Sequence, residues 1–403
     1  MSNKRIRNHL PLLKKVMLLF ALIPVLCNEA VAQDTLRKER NPFFHNLDSI
    51  RDAKIEFGNV LFTPFLAPSY SPEMQLLLTG GGLLTFSYQK NNPLLSRSSI
   101  PLSAGISTNG SVQVSCKPVL YGRNDFYRTY AEFWYKKLPD HYWGVGYSNG
   151  IEVPKSDTTT LYQRNWLRMY AKVVRQVYPN FFGGVVFDIN QTKASNLNER
   201  MLNDPDYLAT GPISRNTGLG LVFQYDSRDM AVNAYSGLFL DFTYLHYDRY
   251  IGGENRFDVI ELDYRQYKEM GHRHVLAWNV KTRYAIGEVP YTEMSQLGSP
   301  FDLRGYFWGR FRDKQASILL LEYRHMFNRK KPNKKGSLES PFGFATWVGS
   351  GAITPQLIDR TINWLPNIGV GLRYEVQPRM NVRIDYGLGK ESSAFYVSFT
   401  EAF

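Results

Sequence analysis

The chain has 403 residues and a formal net charge of +12, and 14% of its residues are aromatic, including 26 Tyr and 25 Phe. Length alone allows several domains or one large β-barrel. The abundant aromatic residues and a mean hydropathy of -0.33 favour a barrel in which polar and apolar side chains interleave. The positive charge suggests nucleic acid as a partner, but neither a zinc-ligand spacing nor an RNA-binding aromatic signature accompanies it. The sequence therefore predicts no nucleic-acid partner, and anionic lipid headgroups or a polar lumen better explain the basic residues.

The first 32 residues have the pattern of a secretory signal peptide. Basic residues are followed by the apolar run from Val16 to Cys27 and by Ala30-Val31-Ala32 before Gln33. The apolar run is too short for a membrane helix, and Pro24 interrupts it. We therefore predict that residues 1–32 are a signal peptide and that the chain is exported.

Residues 33–72 are predicted to form an N-terminal tail and a lead-in. The tail, for which a short plug is the alternative, is polar, has no clear period and is too short for a separate domain. The lead-in contains Thr63-Pro64, Ala67-Pro68 and Ser71-Pro72, and each proline disfavours a helical conformation at the residue before it. The sequence thus predicts an extended lead-in, followed by a barrel over residues 73–403.

From residue 73 onward the chain divides into about sixteen β-like segments, an even number that is typical of single-chain outer-membrane barrels. The first segment contains Gly80, Gly81 and Gly82, which weaken strand pairing. The predicted strands are Met74–Gln89, Pro101–Ser107, Ser111–Tyr121, Tyr127–Leu138, Tyr142–Ser148, Leu161–Val177, Phe181–Ile189, Gly218–Tyr225, Gly237–Tyr247, Phe257–Tyr267, His274–Tyr284, Ser317–Phe327, Phe342–Gly349, Ile368–Val376, Met380–Gly389 and Ala394–Phe403.

Alternating polarity is clearest near the C-terminus. Ile368 and Val370 share one parity, and Asn367 and Arg373 share the other. A soluble sandwich would alternate in the same way. The many consecutive strands, the signal peptide and Phe403, interpreted as a C-terminal strand signal, favour an all-β transmembrane antiparallel barrel. Its apolar parity would face lipid and its polar parity a lumen.

A long loop, residues 286–312, separates the eleventh and twelfth predicted strands and carries Leu303-Arg304-Gly305-Tyr306. Because its apolar surface is costly in water, we expect the loop to fold into the barrel; an aromatic loop at the membrane interface is the alternative. Inside a polar lumen, the guanidinium of Arg304 can pair with a carboxylate. Glu322 is the leading candidate, since the alternation within Ser317–Phe327 places it on the lumen side, while a solvated Arg304 is the alternative.

These features resemble the bacterial surface antigen family of outer-membrane barrels, the BamA/TamA type, whose sixth loop carries Val/Ile-Arg-Gly-Phe/Tyr. Leu303 stands where that family has Val or Ile. The resemblance implies sixteen strands, a sixth extracellular loop folded inward, and Arg304 at the inner wall near Glu322. The family often adds an acidic residue on the next strand, in a Phe-x-Asp-x-Gly pattern. Gly349 occupies that position here, so Glu322 is expected to hold Arg304 alone.

The resemblance also implies a function: assisting the insertion or translocation of protein or lipid at the bacterial outer membrane. Members with that role carry periplasmic domains before the barrel, and the segment before this barrel is too short for one. Outer-membrane lipid is therefore an expected partner, and recruitment of substrate is expected to need periplasmic or lipoprotein assembly proteins. The first and last strands of the family meet at a weak seam, which Gly80–Gly82 would weaken further. The alternative is a passive pore or a structural barrel.

An enzyme is not expected. The chain has no Gly-x-Ser-x-Gly nucleophile elbow, and His272 with His274 and Glu269 is better explained as a solvated turn than as a metal site. The sequence predicts neither a cofactor nor a metal ion.

Overall fold

The computed structural model describes residues 60–89, 96–329, 339–356, 362–377 and 379–403. The predicted signal peptide and most of the predicted tail lie outside these residues. The barrel belongs to one compact unit, Ile55–Asn328 with Ser340–Phe403. Among the described residues, no helix has both the length and the apolar character needed to cross a membrane.

Sixteen antiparallel strands form the wall, and the fourth is interrupted at Lys117 and Pro118. The strands are β1 Leu61–Ser71, β2 Gln75–Phe86, β3 Ser98–Ser107, β4 Val112–Cys116 continued by Val119–Tyr121, β5 Tyr127–His141, β6 Leu161–Tyr178, β7 Phe181–Ser195, β8 Ile213–Asp226, β9 Gly237–Tyr247, β10 Phe257–Gly271, β11 His274–Gly287, β12 Gln315–Asn328, β13 Glu339–Thr354, β14 Leu365–Gln377, β15 Met380–Gly389 and β16 Ser392–Phe399. Each strand pairs with the next, and β16 pairs with β1 at Tyr70 and Val397. The sheet therefore closes on itself.

Short helices lie in the connections. They are α1 Tyr147–Glu152, α2 Glu199–Leu202, α3 Pro205–Thr210 and the 3-10 turns Arg123–Asp125 and Arg249–Ile251. Helix α3 begins with a proline, and the Asp204 side chain caps it by accepting the backbone N–H groups of Asp206 and Tyr207.

Alternate residues of each strand face opposite sides of the wall. On β14, Ile368 and Val370 are 56% and 58% exposed on the outer face, whereas Asn367 and Arg373 are each 2% exposed on the inner face. The predicted apolar-out, polar-in arrangement is confirmed. The lumen therefore holds the buried polar groups and is the place to look for a functional site.

Two differences from the sequence prediction offset each other in the strand count. The prediction starts at Met74 and misses β1, and it places a strand at Tyr142–Ser148 where the structure has a loop that leads into α1. Gly144 and Gly146 in that segment have φ values of +97° and +95°, which a strand cannot use. From β6 onward the predicted and observed strands agree in order, so the long loop follows the eleventh strand in both.

The predicted lead-in forms strand β1, because proline is compatible with a strand at a sheet edge. Pro64 and Pro68 lack the backbone N–H that a β ladder uses. Because the two prolines are four residues apart, both missing donors lie on the same side of β1 and face the same neighbouring strand. β1 pairs with β2 from Leu61 to Ser71, whereas its register with β16 consists of the single pair that includes Tyr70. The barrel therefore begins at Leu61 rather than at residue 73.

Gly80, Gly81 and Gly82 lie in the second strand, so their predicted place in the first strand at the seam is wrong. They face β1 on one side and β3 on the other. A Cβ on Gly81 would lie 2.0 Å from the backbone oxygen of Leu102 on β3. Gly81 thus allows β2 and β3 to approach closely, and the weakness of the seam must have another origin.

Candidate functional site: the lumen clamp

A long loop enters the lumen between β11 and β12; residues 288–314 are called the inner loop below. Within it, Ser295–Leu297 and Phe311–Asp313 pair as a short antiparallel hairpin that carries the tip. Phe311 is fully buried, and its ring centroid lies 6.0 Å from that of Tyr147 in α1. The inner loop is folded into the barrel, as the sequence predicts.

The tip turns around the side chain of Asp302. One carboxylate oxygen accepts hydrogen bonds from three backbone N–H groups of the same turn, those of Gly298, Ser299 and Leu303. A short polar side chain that binds its own backbone in this way fixes a turn. The turn presents Arg304 to the inner wall.

Two glycines bring the tip into contact with the wall. Gly305 has a φ of +117°, which favours glycine. A Cβ on Gly387 of β15 would lie only 2.3 Å from the backbone oxygen of Arg304. The N–H of Gly305 donates to the hydroxyl of Tyr396 on β16, at 3.1 Å. The backbone of the tip therefore packs directly on the backbone of β15.

The guanidinium of Arg304 is fully buried and bridges two acidic residues of the wall. Its Nη2 lies 2.5 Å from Oε2 of Glu322 on β12, and its Nη1 lies 2.9 Å from Oδ2 of Asp385 on β15. Its Cζ lies 3.5 Å from the ring centroid of Trp347 on β13, in cation–π geometry. Arg304, Glu322 and Asp385 are called the clamp below.

The two acids of the clamp are shared with arginines of the wall. Glu322 accepts from Arg324 at 2.7 Å. Asp385 accepts from Arg373 and Arg383, each at 2.6 Å. A buried arginine is tolerated only when it is paired, and through this sharing each of the four arginines has a carboxylate partner.

A third acid, Glu401, completes the network. Its carboxylate accepts from Arg373 at 2.9 Å and from the side-chain amide of Asn381 at 2.7 Å. The members of the charge network are Arg304, Arg324, Arg373, Arg383, Glu322, Asp385 and Glu401. Because Glu401 follows β16, the network links the inner loop to the C-terminal end of the barrel wall.

Of the residues singled out in the sequence, the structure brings Arg304 and Glu322 into contact and buries Leu303 and Tyr306 completely. The Tyr306 hydroxyl donates to the backbone oxygen of Pro366 at 2.7 Å. The expectation that Glu322 holds Arg304 alone is wrong, because Asp385 holds it as well.

The family pattern predicts the second acid on the strand after Glu322, where this chain has Gly349. The acid lies two strands further along, in Asp385-Tyr386-Gly387, which keeps the Asp-x-Gly part of the family pattern. In a closed barrel the inner loop can contact β15 as well as β13. The order of the strands in the sequence therefore does not show which strand carries the second acid. The Asp-x-Gly spacing itself was the available signal.

Interpreting Phe403 as a C-terminal strand signal requires it to end the last strand. In the structure it does not. β16 ends at Phe399, and Thr400 has a φ of +65°, which turns the chain inward. Phe403 is buried in the lumen, where its backbone oxygen accepts from Arg324 at 2.9 Å. The C-terminal residues therefore fill the lumen beside the charge network.

Glu293, on the inner loop, is a buried acid outside the charge network. It accepts from the side-chain amide of Asn216 at 3.1 Å and lies 3.7 Å from Arg283. Burial, reinforced by the nearby Asp188, raises the pKa of Glu293 from 4.5 to about 7. The folded protein therefore favours the protonated form of this carboxyl group.

Stability is expected to fall as Glu293 ionises. Protonation is favoured in the folded state, so the stabilisation is complete below pH 4.5 and is lost as pH rises to about 7, about 3 kcal/mol in all. Glu293→Gln should match the wild type in urea unfolding at pH 4 and exceed it at pH 8. Glu288→Gln, in the same loop but exposed beside Arg249, is the control and should track the wild type. Parallel pH profiles for wild type and Glu293→Gln would contradict the assignment.

The fold and the clamp together define a class of protein: a sixteen-stranded membrane barrel whose loop after the eleventh strand enters the lumen and is held there by an arginine. The model of the Omp85 superfamily domain matches residues 143–357, just over half of the sequence. The chain belongs to the Omp85 superfamily. Its members are transporters or assembly factors of the bacterial outer membrane rather than enzymes.

Solved structures support the same fold. BamA from Haemophilus ducreyi lacking POTRA domains 1-3 is similar with a TM-score of 0.54 at 12% identity, over 85% of this chain and 70% of that one. CdiB from Escherichia coli is similar with a TM-score of 0.54 at 11% identity, over 87% of this chain and 70% of that one. CdiB from Acinetobacter baumannii is similar with a TM-score of 0.52 at 14% identity, over 85% of this chain and 59% of that one. No curated protein matches the sequence significantly.

Proposed function

We propose that this barrel assists the insertion or translocation of protein or lipid at the outer membrane through a seam between β1 and β16. One observation carries the proposal: the register of the seam is a single pair, Tyr70 with Val397, whereas β1 pairs with β2 along its whole length. Hydrogen bonds between strands hold a barrel closed, and a short ladder opens at the lowest cost.

Two features keep the ladder of the seam short. Pro64 and Pro68 remove N–H donors from β1. Residues 400–403 turn into the lumen, where Glu401 is bound by Arg373, and so do not extend β16. The charge network and the seam are therefore coupled through the C-terminal residues.

Substrate recruitment is proposed to come from other proteins, periplasmic or lipoprotein assembly partners, and the surrounding partner is outer-membrane lipid. The exposed outer face of the strands, such as Ile368 and Val370 on β14, is the lipid contact. Export through a signal peptide at residues 1–32 remains part of the proposal.

Locking the seam tests the function. With Cys116→Ser as background, Tyr70→Cys with Val397→Cys would place two thiols opposite each other across β1 and β16. In liposomes we expect the unlocked protein to accelerate the folding of a small outer-membrane barrel added in urea, read as a gel mobility shift. The disulfide should abolish the acceleration, and a reductant should restore it.

The control is a lock inside the wall. Ala131→Cys with Ala171→Cys joins β5 and β6, which are paired throughout, and should leave the acceleration intact. Acceleration that survives the locked seam would refute the seam mechanism. The absence of any acceleration, together with steady conductance in bilayers, would favour the passive pore instead.

A further inference from the structure

A cavity of about 410 Å³ lies beside the tip of the inner loop and residues 400–403. This volume is in the range of cavities that bind small molecules. Its wall comes from β10 and β11, from the tip of the inner loop and from the inward-turned residues 400–403. Neither the clamp nor the proposed seam mechanism uses it.

The cavity lining carries one cation without a close ion pair. Lys281 on β11 lies directly opposite Asp263 on β10, which would be its natural partner. The Asp263 carboxylate already has two partners: Arg265 binds it at 2.5 Å, and the side-chain amide of Asn279 donates to it at 2.8 Å. Lys281 is exposed, and among the described residues no carboxylate lies within ion-pair distance of its ammonium group, although the Asp263 and Asp302 carboxylates are close enough to interact with it at longer range.

The other acid of the cavity wall does not compensate Lys281 either. Glu401 is bound by Arg373 and Asn381 of the charge network. Because both acids of the lining already have arginine partners, the ammonium group of Lys281 is available to pair with an anionic ligand.

Another part of the cavity lining is apolar. Phe301, at the tip of the inner loop, is 50% exposed, and Val232, in the turn between β8 and β9, is 46% exposed. Ala231, Ala402 and Phe403 complete this side. A half-exposed phenylalanine inside a folded lumen leaves apolar surface that a ligand can cover.

We propose that this cavity binds a single-chain anionic amphiphile, with its carboxylate or phosphate head paired to Lys281 and its alkyl chain packed against Phe301 and Val232. A charged group and several apolar side chains in one cavity match the two parts of such a molecule. The ligand would contact residues 400–403 and thereby the segment that leaves β16.

Photolabelling tests the proposal. The probe is decanoic acid with a diazirine at its chain end, added to the barrel in zwitterionic nanodiscs, with mass spectrometry of the labelled peptides. We expect label on the peptides that contain Phe301 and residues 400–403. Decyl phosphate and decanoate should compete, and their relative potency separates the two head groups. Decylamine should not compete.

Lys281→Gln should lower the lumen labelling about tenfold, because it removes a charge-assisted hydrogen bond. Lys137→Gln is the matched control: Lys137 is exposed on the outer face of β5, so the variant loses the same charge elsewhere. Phe301→Ala is a second variant and should lower the labelling several-fold. Label on the outer wall, where the probe meets lipid, should be equal in all variants and verifies that each has folded.

Lumen labelling that decylamine displaces as well as decanoate does, or that Lys281→Gln leaves unchanged, would overturn the proposal. So would label confined to the outer wall in the wild type.

Discussion

Replacing Arg304 with alanine is expected to free the inner loop while leaving the barrel closed. The loop loses its two ion pairs and the contact with Trp347, a cost of about 3 to 5 kcal/mol for a buried pair broken on one side. The acids Glu322 and Asp385 keep their arginine partners on the wall, so the strands remain supported. In planar bilayers the variant should conduct more than the wild type, because the loop no longer fills the lumen.

Two further variants sharpen this test. Arg310→Ala removes an arginine from the same loop that donates to the backbone of Gly150 and takes no part in the clamp, and its conductance should stay near the wild-type value. Arg304→Lys should give an intermediate conductance, since an ammonium group lacks the planar fork that bridges two carboxylates. Equal conductance of Arg304→Ala and Arg310→Ala would show that the clamp does not hold the loop.

Asp385→Asn is expected to destabilise the whole barrel. The substitution leaves Arg304, Arg373 and Arg383 around a neutral amide in a fully buried site. Uncompensated buried charge costs about 3 to 5 kcal/mol, so the urea midpoint for unfolding from lipid vesicles, followed by tryptophan fluorescence, should fall markedly.

Asp263→Asn is the control for this effect. Asp263 also lies in the lumen and pairs with a single arginine, Arg265, whose side chain is 28% exposed and can be hydrated. Its loss should cost about 1 kcal/mol or less. Similar midpoints for the two variants would mean that the charge network adds no more than an isolated pair.

The barrel itself could be predicted because its pattern is local. Ile368, Val370, Asn367 and Arg373 alternate along a few residues, and the membrane and the lumen sort them by polarity. The placement of the Leu303–Tyr306 motif between two recognisable strands is also local, although its place in the strand order is right because the missed β1 and the false strand at Tyr142–Ser148 offset each other. These signals need no knowledge of which distant strands meet.

The parts that could not be predicted depend on closure. Whether β1 is a strand depends on the edge at which it lies, because prolines are acceptable only there. Asp385 meets Arg304 because β15 curves round to the inner loop, which no local spacing reveals. Phe403 turns inward because Arg324 donates a hydrogen bond to its backbone oxygen and Arg373 binds the neighbouring Glu401. Both arginines come from other strands.

The prolines of β1 also bear on how copies of this protein meet in the membrane. Extending the register of Tyr70 with Val397 would set Phe399 against Pro68 and Phe403 against Pro64, but the chain leaves the sheet after Phe399. The edge beside Pro64 is therefore open, and open edges let two sheets join side by side. Because proline offers no donor there, a neighbouring copy meets an interrupted row of hydrogen-bonding groups. We expect barrels to stay separate at high density in the bilayer, even though each has a poorly sealed wall.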